Sequence, residues 1–173
     1  PHQVEGVAFL MGRRRAILAD DMGLGKTRQA IVAVTHEEPQ GPYLVVCPAS
    51  VKRNWGREIG FVCPDPDVCI VGPGEMPGSE WKGWVIINYD LLKRHKEALT
   101  LFSWQAIVFD EAHYLKNHTS QRSRLGRSLV KECPGNPLVY CLTGTPMMNR
   151  TRDLFVLFQV VGHSMGRSFI TYA

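Results

Sequence analysis

The stretch that decides the fold is AILADDMGLGKT, residues 16–27, in which an apolar run ends in a glycine-containing turn. In residues 27–36, which follow, Ala30, Ile31 and Val34 are spaced for one face of a helix. A strand, a turn ending in Gly-Lys-Thr and a helix are the parts of a phosphate-binding loop. The sequence therefore predicts a nucleotide site where this turn meets the helix.

The residue types in this turn suit a triphosphate. Glycines at 23 and 25 allow backbone shapes that aim N–H groups at phosphate oxygens, and the helix start adds a positive dipole end. Lys26 supplies a charge for the β and γ phosphates, and the Thr27 hydroxyl suits Mg²⁺. Asp20 occupies the place of the first glycine in G-x-x-x-x-G-K-[ST], so the turn alone leaves an accidental match open. The predicted nucleotide-binding residues of the turn are Met22, Gly23, Leu24, Gly25, Lys26 and Thr27.

An acidic pair follows a second apolar run, residues 106–109. Asp110 is predicted to hold Mg²⁺ through water, and Glu111 to orient and deprotonate an attacking water. Alone, the pair could be an ordinary acidic turn; together with the phosphate loop, it predicts ATP hydrolysis. His113 and His118 stand five positions apart and do not share a helix face, so we expect local hydrogen bonding by His113 rather than a metal site.

Short apolar runs recur along the chain and are continuous rather than alternating. This pattern predicts strands buried on both faces, as in a parallel sheet, with helices over residues 27–36, 119–132 and 151–161 between them. Alternating strands and helices indicate an α/β fold with right-handed crossovers, and 173 residues suit one domain. The predicted strands cover residues 16–19, 43–47, 68–71, 84–88, 106–109 and 138–142.

Composition excludes two classes. The 45% hydrophobic share is too high for a disordered chain, and no apolar run approaches the roughly 20 residues of a membrane-spanning helix. Five cysteines, with no C-x-x-C pair, indicate reduced and mostly buried thiols in a cytosolic or nuclear compartment. Residues 111–173 carry eight Lys/Arg against three Asp/Glu, which fits either a polyanion partner or a solvated surface.

Together, DDMGLGKT, DEAH and LTGTP resemble helicase superfamily two. The finer details of these motifs resemble the Swi/Snf-type ATPases, which are double-stranded DNA translocases. Within that group, the sequence is similar to the annealing-helicase-like and bacterial members. This resemblance implies a RecA-like P-loop NTPase lobe: an α/β fold with a mainly parallel central sheet and helices on both faces. The segments that carry it, in order, are PHQVEGVAFL, DDMGLGKT, CPASVKRNW, INYDLL, DEAHYLKN and LTGTPMMN followed by DLF, with Phe169 and Tyr172 beyond.

The resemblance also implies roles for single residues. Gln3 would read the adenine edge. Four residues would couple nucleotide state to the nucleic-acid groove: His113, Thr143, Gly144 and Thr145. Residues matching segments near the nucleic-acid backbone are Ser50, Asn54, Asn88, Tyr89, Lys116, Asn117 and Asn149.

Plainer interpretations stand beside several of these residues. Ser50 could cap a following helix, Trp55 could belong to the core, and Gln3 could be a helix-surface residue. The basic stripe of Arg124, Arg127 and Lys131 is best explained as a solvated helix face.

The family places a second RecA-like lobe, with an arginine finger, after the segment that ends this chain. Because an arginine finger contributes orders of magnitude to turnover, we expect residues 1–173 alone to be poorly active, and the intact protein to be a DNA-stimulated ATPase using ATP and Mg²⁺. Its expected partner is double-stranded DNA, contacted through the backbone, in a nucleoid-associated or nuclear setting and not at a membrane. Two alternatives remain: a DEAD/DEAH-type RNA helicase lobe, and a nucleotide-gated binding module without turnover.

Overall fold

A computed structural model describes residues 2–19, 23–74, 76–144 and 151–163, with only the backbone described at 2 and 151–153. The chain alternates helices and strands, with short 3₁₀ turns at Ala49–Val51, Tyr89–Leu91 and Ala112–Leu115. The strands are β1 Arg15–Ala19, β2 Tyr43–Cys47, β3 Val68–Ile70, β4 Trp84–Asn88, β5 Ala106–Phe109 and β6 Leu138–Thr143. The helices are α1 His2–Leu10, α2 Lys26–Glu37, α3 Lys52–Val62, α4 Leu92–Thr100, α5 Gln121–Glu132 and α6 Thr151–Val161.

The six strands form one sheet in the order β1-β6-β5-β2-β4-β3, and every pairing is parallel. This confirms the predicted α/β class with a parallel central sheet. Because all strands run the same way, their carboxyl ends meet at one edge of the sheet, where ligands bind in open α/β folds. The segments after β1, β2, β4, β5 and β6 therefore share that edge.

Helices cover both faces of the sheet, and the apolar strand residues divide between two cores. Along β2, Val45 and Cys47 pack with α1, α2 and α3, whereas Leu44 and Val46 pack with α4, α5 and α6. All five β2 residues are buried, which explains why the sequence shows a continuous apolar run rather than alternation.

The predicted strand bounds agree with the observed ones to within one residue, while the helices differ more. Helix α4, in LKRHKEALT, buries Leu92, His95 and Leu99, and these three positions were too sparse to indicate a helix from sequence. Helix α5 begins at Gln121 rather than at 119, because the Ser120 side chain accepts a hydrogen bond from the Ser123 N–H and caps it.

The cysteines are free thiols, as predicted; three are buried and two are half-buried. Burial raises the pKa of Cys47 and Cys133 to about 12, so these thiols stay protonated and unreactive at neutral pH. Within the described part of the chain, no helix has the length and apolar character needed to cross a membrane.

Candidate active site

The strand order brings the predicted phosphate loop and the acidic pair together. The loop follows β1 and the acidic pair follows β5, and β6 lies between these two strands. Ala19, the last residue of β1, pairs in register with Thr143, the last residue of β6. The buried Thr143 and half-buried Gly144, predicted as coupling residues, thus stand between the loop and the carboxylates.

The described part of the phosphate loop has the backbone shape that its glycines predict. Gly23 and Gly25 have φ values of 85° and 76°, in the left-handed region that side chains disfavour. Gly25 is the N-cap of α2, so Lys26 and Thr27 are the first helical residues. The first backbone N–H groups of a helix have no acceptor within the helix, and together with the helix dipole they make this end of α2 attractive to an anion.

Asp110 is a buried carboxylate held by two donors. Its Oδ1 accepts from the Glu111 backbone N–H at 2.8 Å, and its Oδ2 accepts from the Trp55 indole Nε1–H at 2.7 Å. Burial raises the pKa of Asp110; these two hydrogen bonds and the charge of Lys26 oppose the rise, while the charge of Glu111 adds to it. The charge of Lys26 therefore reaches Asp110 across the cleft.

Trp55 has a function that the sequence did not show. Its side chain is fully buried in the core, as the plainer interpretation expected, but its indole N–H also orients Asp110. A buried tryptophan N–H usually finds an acceptor, and this was the available signal. Sequence alone could not identify that acceptor, which is 55 positions away.

Glu111 occupies a strained backbone position. Its φ of 48° and ψ of 49° place it in the left-handed region, which costs a residue with a side chain about 1–3 kcal/mol. This turn ends the path of β5 and starts the 3₁₀ turn Ala112–Leu115. The Nδ1 atom of His113 lies 3.2 Å from Oε2 of Glu111, without the alignment of a hydrogen bond. The local hydrogen bond predicted for His113 is therefore not formed by this atom.

Residues of the phosphate loop line one cleft of about 370 Å³ together with Asp110 and Glu111. It contains the predicted catalytic and nucleotide residues that the structure describes, apart from Leu24, which does not line it. An ion pair between Arg28 and Glu58, with 2.9 Å between Nη2 and Oε2, joins α2 to α3 at this cleft. The residues lining it are Gln3, Gly23, Gly25, Lys26, Thr27, Arg28, Val51, Asn54, Glu58, Asp110 and Glu111.

The predicted nucleic-acid residues do not form one surface. Asn54 lines the nucleotide cleft, and Ser50 is exposed in the preceding 3₁₀ turn, where it caps no helix. Asn88 and Tyr89 are buried: Oδ1 of Asn88 accepts from Nζ of Lys52 at 2.9 Å, and the Tyr89 hydroxyl donates to the Asp110 carbonyl oxygen at 2.7 Å. These two oxygen atoms are thus engaged within the protein, and the placement of Asn88 and Tyr89 near the nucleic-acid backbone stays a prediction.

A second cavity of about 620 Å³ lies beside the acidic pair. Tyr89 and Tyr114 stack in it with 5.5 Å between ring centroids, and Arg122 binds Asp90 at 2.6 Å. Three cationic side chains line it: Lys93, Arg122 and the predicted Lys116, which is exposed together with Asn117. Lys93 and Arg122 come from α4 and α5 and belong to no motif, so nothing in the sequence pointed to them.

Some predicted residues fall outside the described part of the chain: Met22, Thr145, Asn149, Phe169 and Tyr172. Of the basic stripe on α5, Arg124 and Lys131 are exposed, as a solvated face requires. Arg127 differs, because its guanidinium donates to Oγ of Ser123 and to the His118 carbonyl oxygen, both at 2.8 Å.

The donor set fits a magnesium–nucleotide complex. Among the described residues, no group of three or more His, Cys, Asp or Glu side chains is arranged to hold a metal alone. Mg²⁺ in nucleotide sites is usually held by one or two protein groups together with phosphates and waters. Asp110 and Thr27, which face the same cleft, are suitable protein groups.

Comparisons with known proteins agree with this geometry. The family profile described as SNF2-related domain matches residues 2–172. The chain belongs to this family. Within it, the chain is 32% identical over its whole length to the Caenorhabditis elegans homolog of SWI/SNF-related matrix-associated actin-dependent regulator of chromatin subfamily A-like protein 1. It is 35% identical over 91% of its length to the putative ATP-dependent helicase/translocase YwqA of Bacillus subtilis.

A solved structure extends the likeness to three dimensions. The Sulfolobus solfataricus SWI2/SNF2 ATPase core in complex with dsDNA matches 99% of the chain with a TM-score of 0.83 and 27% identity. The chain corresponds to 37% of that structure's chain, and to 25% and 18% of the two relatives. The chain is therefore an SNF2-related domain and spans well under half the length of these proteins.

Proposed function

We propose that this chain is the ATP-binding and hydrolysing motor lobe of a double-stranded DNA translocase. The observation that carries the proposal is the single cleft in which Lys26, Asp110 and Glu111 meet. The phosphate loop alone left an accidental match open. A carboxylate pair across the same cleft, in which the charge of Lys26 opposes the rise in the pKa of Asp110 caused by burial, supports phosphoryl transfer.

Five residues of the cleft have a definite task in this proposal. ATP with Mg²⁺, when bound, supplies the polarised γ-phosphate that water attacks. Lys26 offsets negative charge on the phosphates, while Thr27 and Asp110 are the protein groups suited to the metal. Glu111 orients the attacking water and accepts its proton. Gln3 lines the cleft beside Gly25, consistent with a role in recognising the base.

Two connections suit the coupling of hydrolysis to movement on DNA. Thr143 is the last residue of the strand between the loop and the carboxylates, and Gly144 directly follows it. The Tyr89 hydroxyl joins the second cavity to the backbone of Asp110. We infer that the cationic second cavity, with Lys116 and Asn117 at its rim, contacts the DNA backbone, which makes binding insensitive to sequence.

The proposed machine needs a second RecA-like lobe of the same polypeptide, which would close on this cleft and supply an arginine finger. The relatives are several times longer than this chain, which leaves room for that lobe. The proposed setting is nuclear or nucleoid-associated, where double-stranded DNA is the available track. The match to an ATPase core in complex with dsDNA favours DNA over RNA as that track.

Displacement of a third strand from triplex DNA tests the proposed function. The natural polypeptide carrying this chain should displace the strand only with ATP and Mg²⁺, and the Lys26→Ala variant should fail. Displacement that ignores ATP, or ATP turnover stimulated by RNA and not by duplex DNA, would contradict the proposal. A protein that binds ATP without turnover under all of these conditions would be a gated binding module.

Replacing Lys116 with alanine should weaken DNA binding by about the same factor for unrelated sequences. If Lys116 contacts a phosphate, the slope of log K against log salt should fall by about 0.9. The measurement is a salt titration of duplex binding. Lys131→Ala is the matched control. Lys131 is exposed in the last turn of α5, whereas Lys116 precedes the first turn of that helix. An unchanged slope for Lys116→Ala would remove this residue from the DNA surface.

A further inference from the structure

Helix α1 packs against the phosphate loop and α2 through two reciprocal glutamine–glycine contacts. In one, a Cβ atom added to Gly25 would lie 3.3 Å from Cδ of Gln3, and closer still to its Nε2. In the other, a Cβ added to Gly6 would lie 2.7 Å from Cδ of Gln29, and closer still to its Oε1. Each glutamine therefore occupies the space that a side chain on the opposite glycine would need.

Gln29 is the buried member of this arrangement. Its side chain is 1% exposed, and its Nε2 donates to the Leu24 carbonyl oxygen at 2.9 Å. Leu24 lies between Gly23 and Gly25, so this bond fixes a peptide group inside the phosphate loop. The Oε1 of Gln29 is buried against Gly6 and lacks a hydrogen-bond partner in the described part of the chain.

A buried amide with one unpaired atom is unfavourable for stability, and an apolar side chain of similar length would avoid the penalty. An apolar side chain would, however, release the Leu24 carbonyl and with it the loop. Local rules of this kind are broken mainly where function requires it. The amide is therefore better explained by the conformation of the loop than by the stability of the core.

We propose that Gln29 is a positioning residue for nucleotide binding, holding the Leu24 carbonyl on one side and Gly6 of α1 on the other. The phosphate loop and α1 then shift as one unit, and the position of α1 sets the affinity for the triphosphate. The inference rests on the proposed function, because it concerns the same cleft. It adds a residue that does not touch the nucleotide.

A double-mutant cycle on Gly6 and Gln29 tests this inference. The probe is a fluorescent ATP analogue with Mg²⁺, titrated into the natural polypeptide carrying this chain. Gln29→Ala and Gly6→Ala should each weaken binding about tenfold, the first by losing the loop bond and the second by displacing the amide. The double variant should bind no more weakly than Gln29→Ala, because the added methyl then has room.

Gln29→Met and Val34→Ala separate positioning from stability. Gln29→Met retains side-chain length without a donor, and should also weaken binding about tenfold if the loop bond matters. Val34→Ala removes buried volume from the same helix away from the loop. It should lower the melting temperature but leave the affinity of the folded protein unchanged.

The failures of the two proposals are distinguishable. Wild-type protein that binds no ATP analogue would overturn the proposed function, and the inference with it. Normal binding by Gln29→Ala or Gln29→Met, or a double variant about 100-fold weaker than wild type, as independent effects would give, would overturn the inference alone. Equal weakening by Val34→Ala would assign Gln29 a purely structural role.

Discussion

Glu111→Gln should lower ATP turnover by about 10²- to 10⁴-fold while leaving ATP binding nearly unchanged. The substitution retains the shape of the side chain and the strained backbone at φ 48°, but removes the group that accepts the proton of the attacking water. The measurement is steady-state phosphate release by the natural polypeptide carrying this chain, with binding of a fluorescent ATP analogue measured in parallel.

Glu58→Gln is the matched control for this prediction. Glu58, on α3, lines the same cleft but is paired with Arg28 of α2, and its replacement should cost far less turnover than that of Glu111. Turnover by Glu111→Gln close to that of wild type would remove Glu111 from the chemistry. ATP binding without measurable turnover in wild type and variant alike would favour a nucleotide-gated binding module in place of an enzyme.

Trp55→Phe should raise the Mg²⁺ concentration needed for half-maximal turnover by about 10- to 100-fold, the usual effect of losing a group that orients a metal ligand. Phenylalanine fills most of the indole site but cannot donate to Oδ2 of Asp110. Loss of that donor should also move the pKa of Asp110 further above its ordinary value. The measurement is a Mg²⁺ titration of ATP turnover.

Trp104→Phe is the control for Trp55→Phe. Trp104 is equally buried, and its indole donates at 2.8 Å to the Leu99 carbonyl oxygen, on the opposite face of the sheet. Both variants lose one buried hydrogen bond and should lose comparable stability. If both, or neither, change the Mg²⁺ requirement, the Trp55–Asp110 contact has no special role in metal binding.

The strands of the sheet were predictable because each one is encoded by neighbouring residues in the sequence. Each strand is a continuous apolar run, and the phosphate loop and acidic pair directly follow two of these runs. Parallel strands place their carboxyl ends at one edge, so the meeting of Lys26 and Asp110 follows from the class of fold.

The supporting contacts were not predictable, because they depend on strand order. Trp55 reaches Asp110 because β2 pairs with β5, which places the start of α3 beside the acidic turn. Asn88 faces inward to Lys52 because β4 lies on the other side of β2. A sequence motif identifies residues, but it does not show whether a side chain points towards a binding partner or into the core of the protein.

The packing of Gly6 against Gln29 was also not predictable, because it depends on how two separate helices are arranged in the fold. The two residues are 23 positions apart in separate helices. Gly6 lies in the segment PHQVEGVAFL, but the resemblance implied no role for it, and Gln29 lies outside the segments that carry the resemblance. A glycine inside a helix is unfavourable, which was the signal that something approaches it closely. Only the structure identifies the neighbour as an amide that also holds the phosphate loop.

ATP hydrolysis by the natural polypeptide carrying this chain, measured with and without duplex DNA, tests the central claim most directly. The cleft geometry and the family predict slow turnover without DNA, strong stimulation by duplex DNA of any sequence, and loss of that turnover in Glu111→Gln. ATP turnover that does not respond to duplex DNA, or that survives in Glu111→Gln, would contradict an ATP-driven and DNA-stimulated motor built on this cleft.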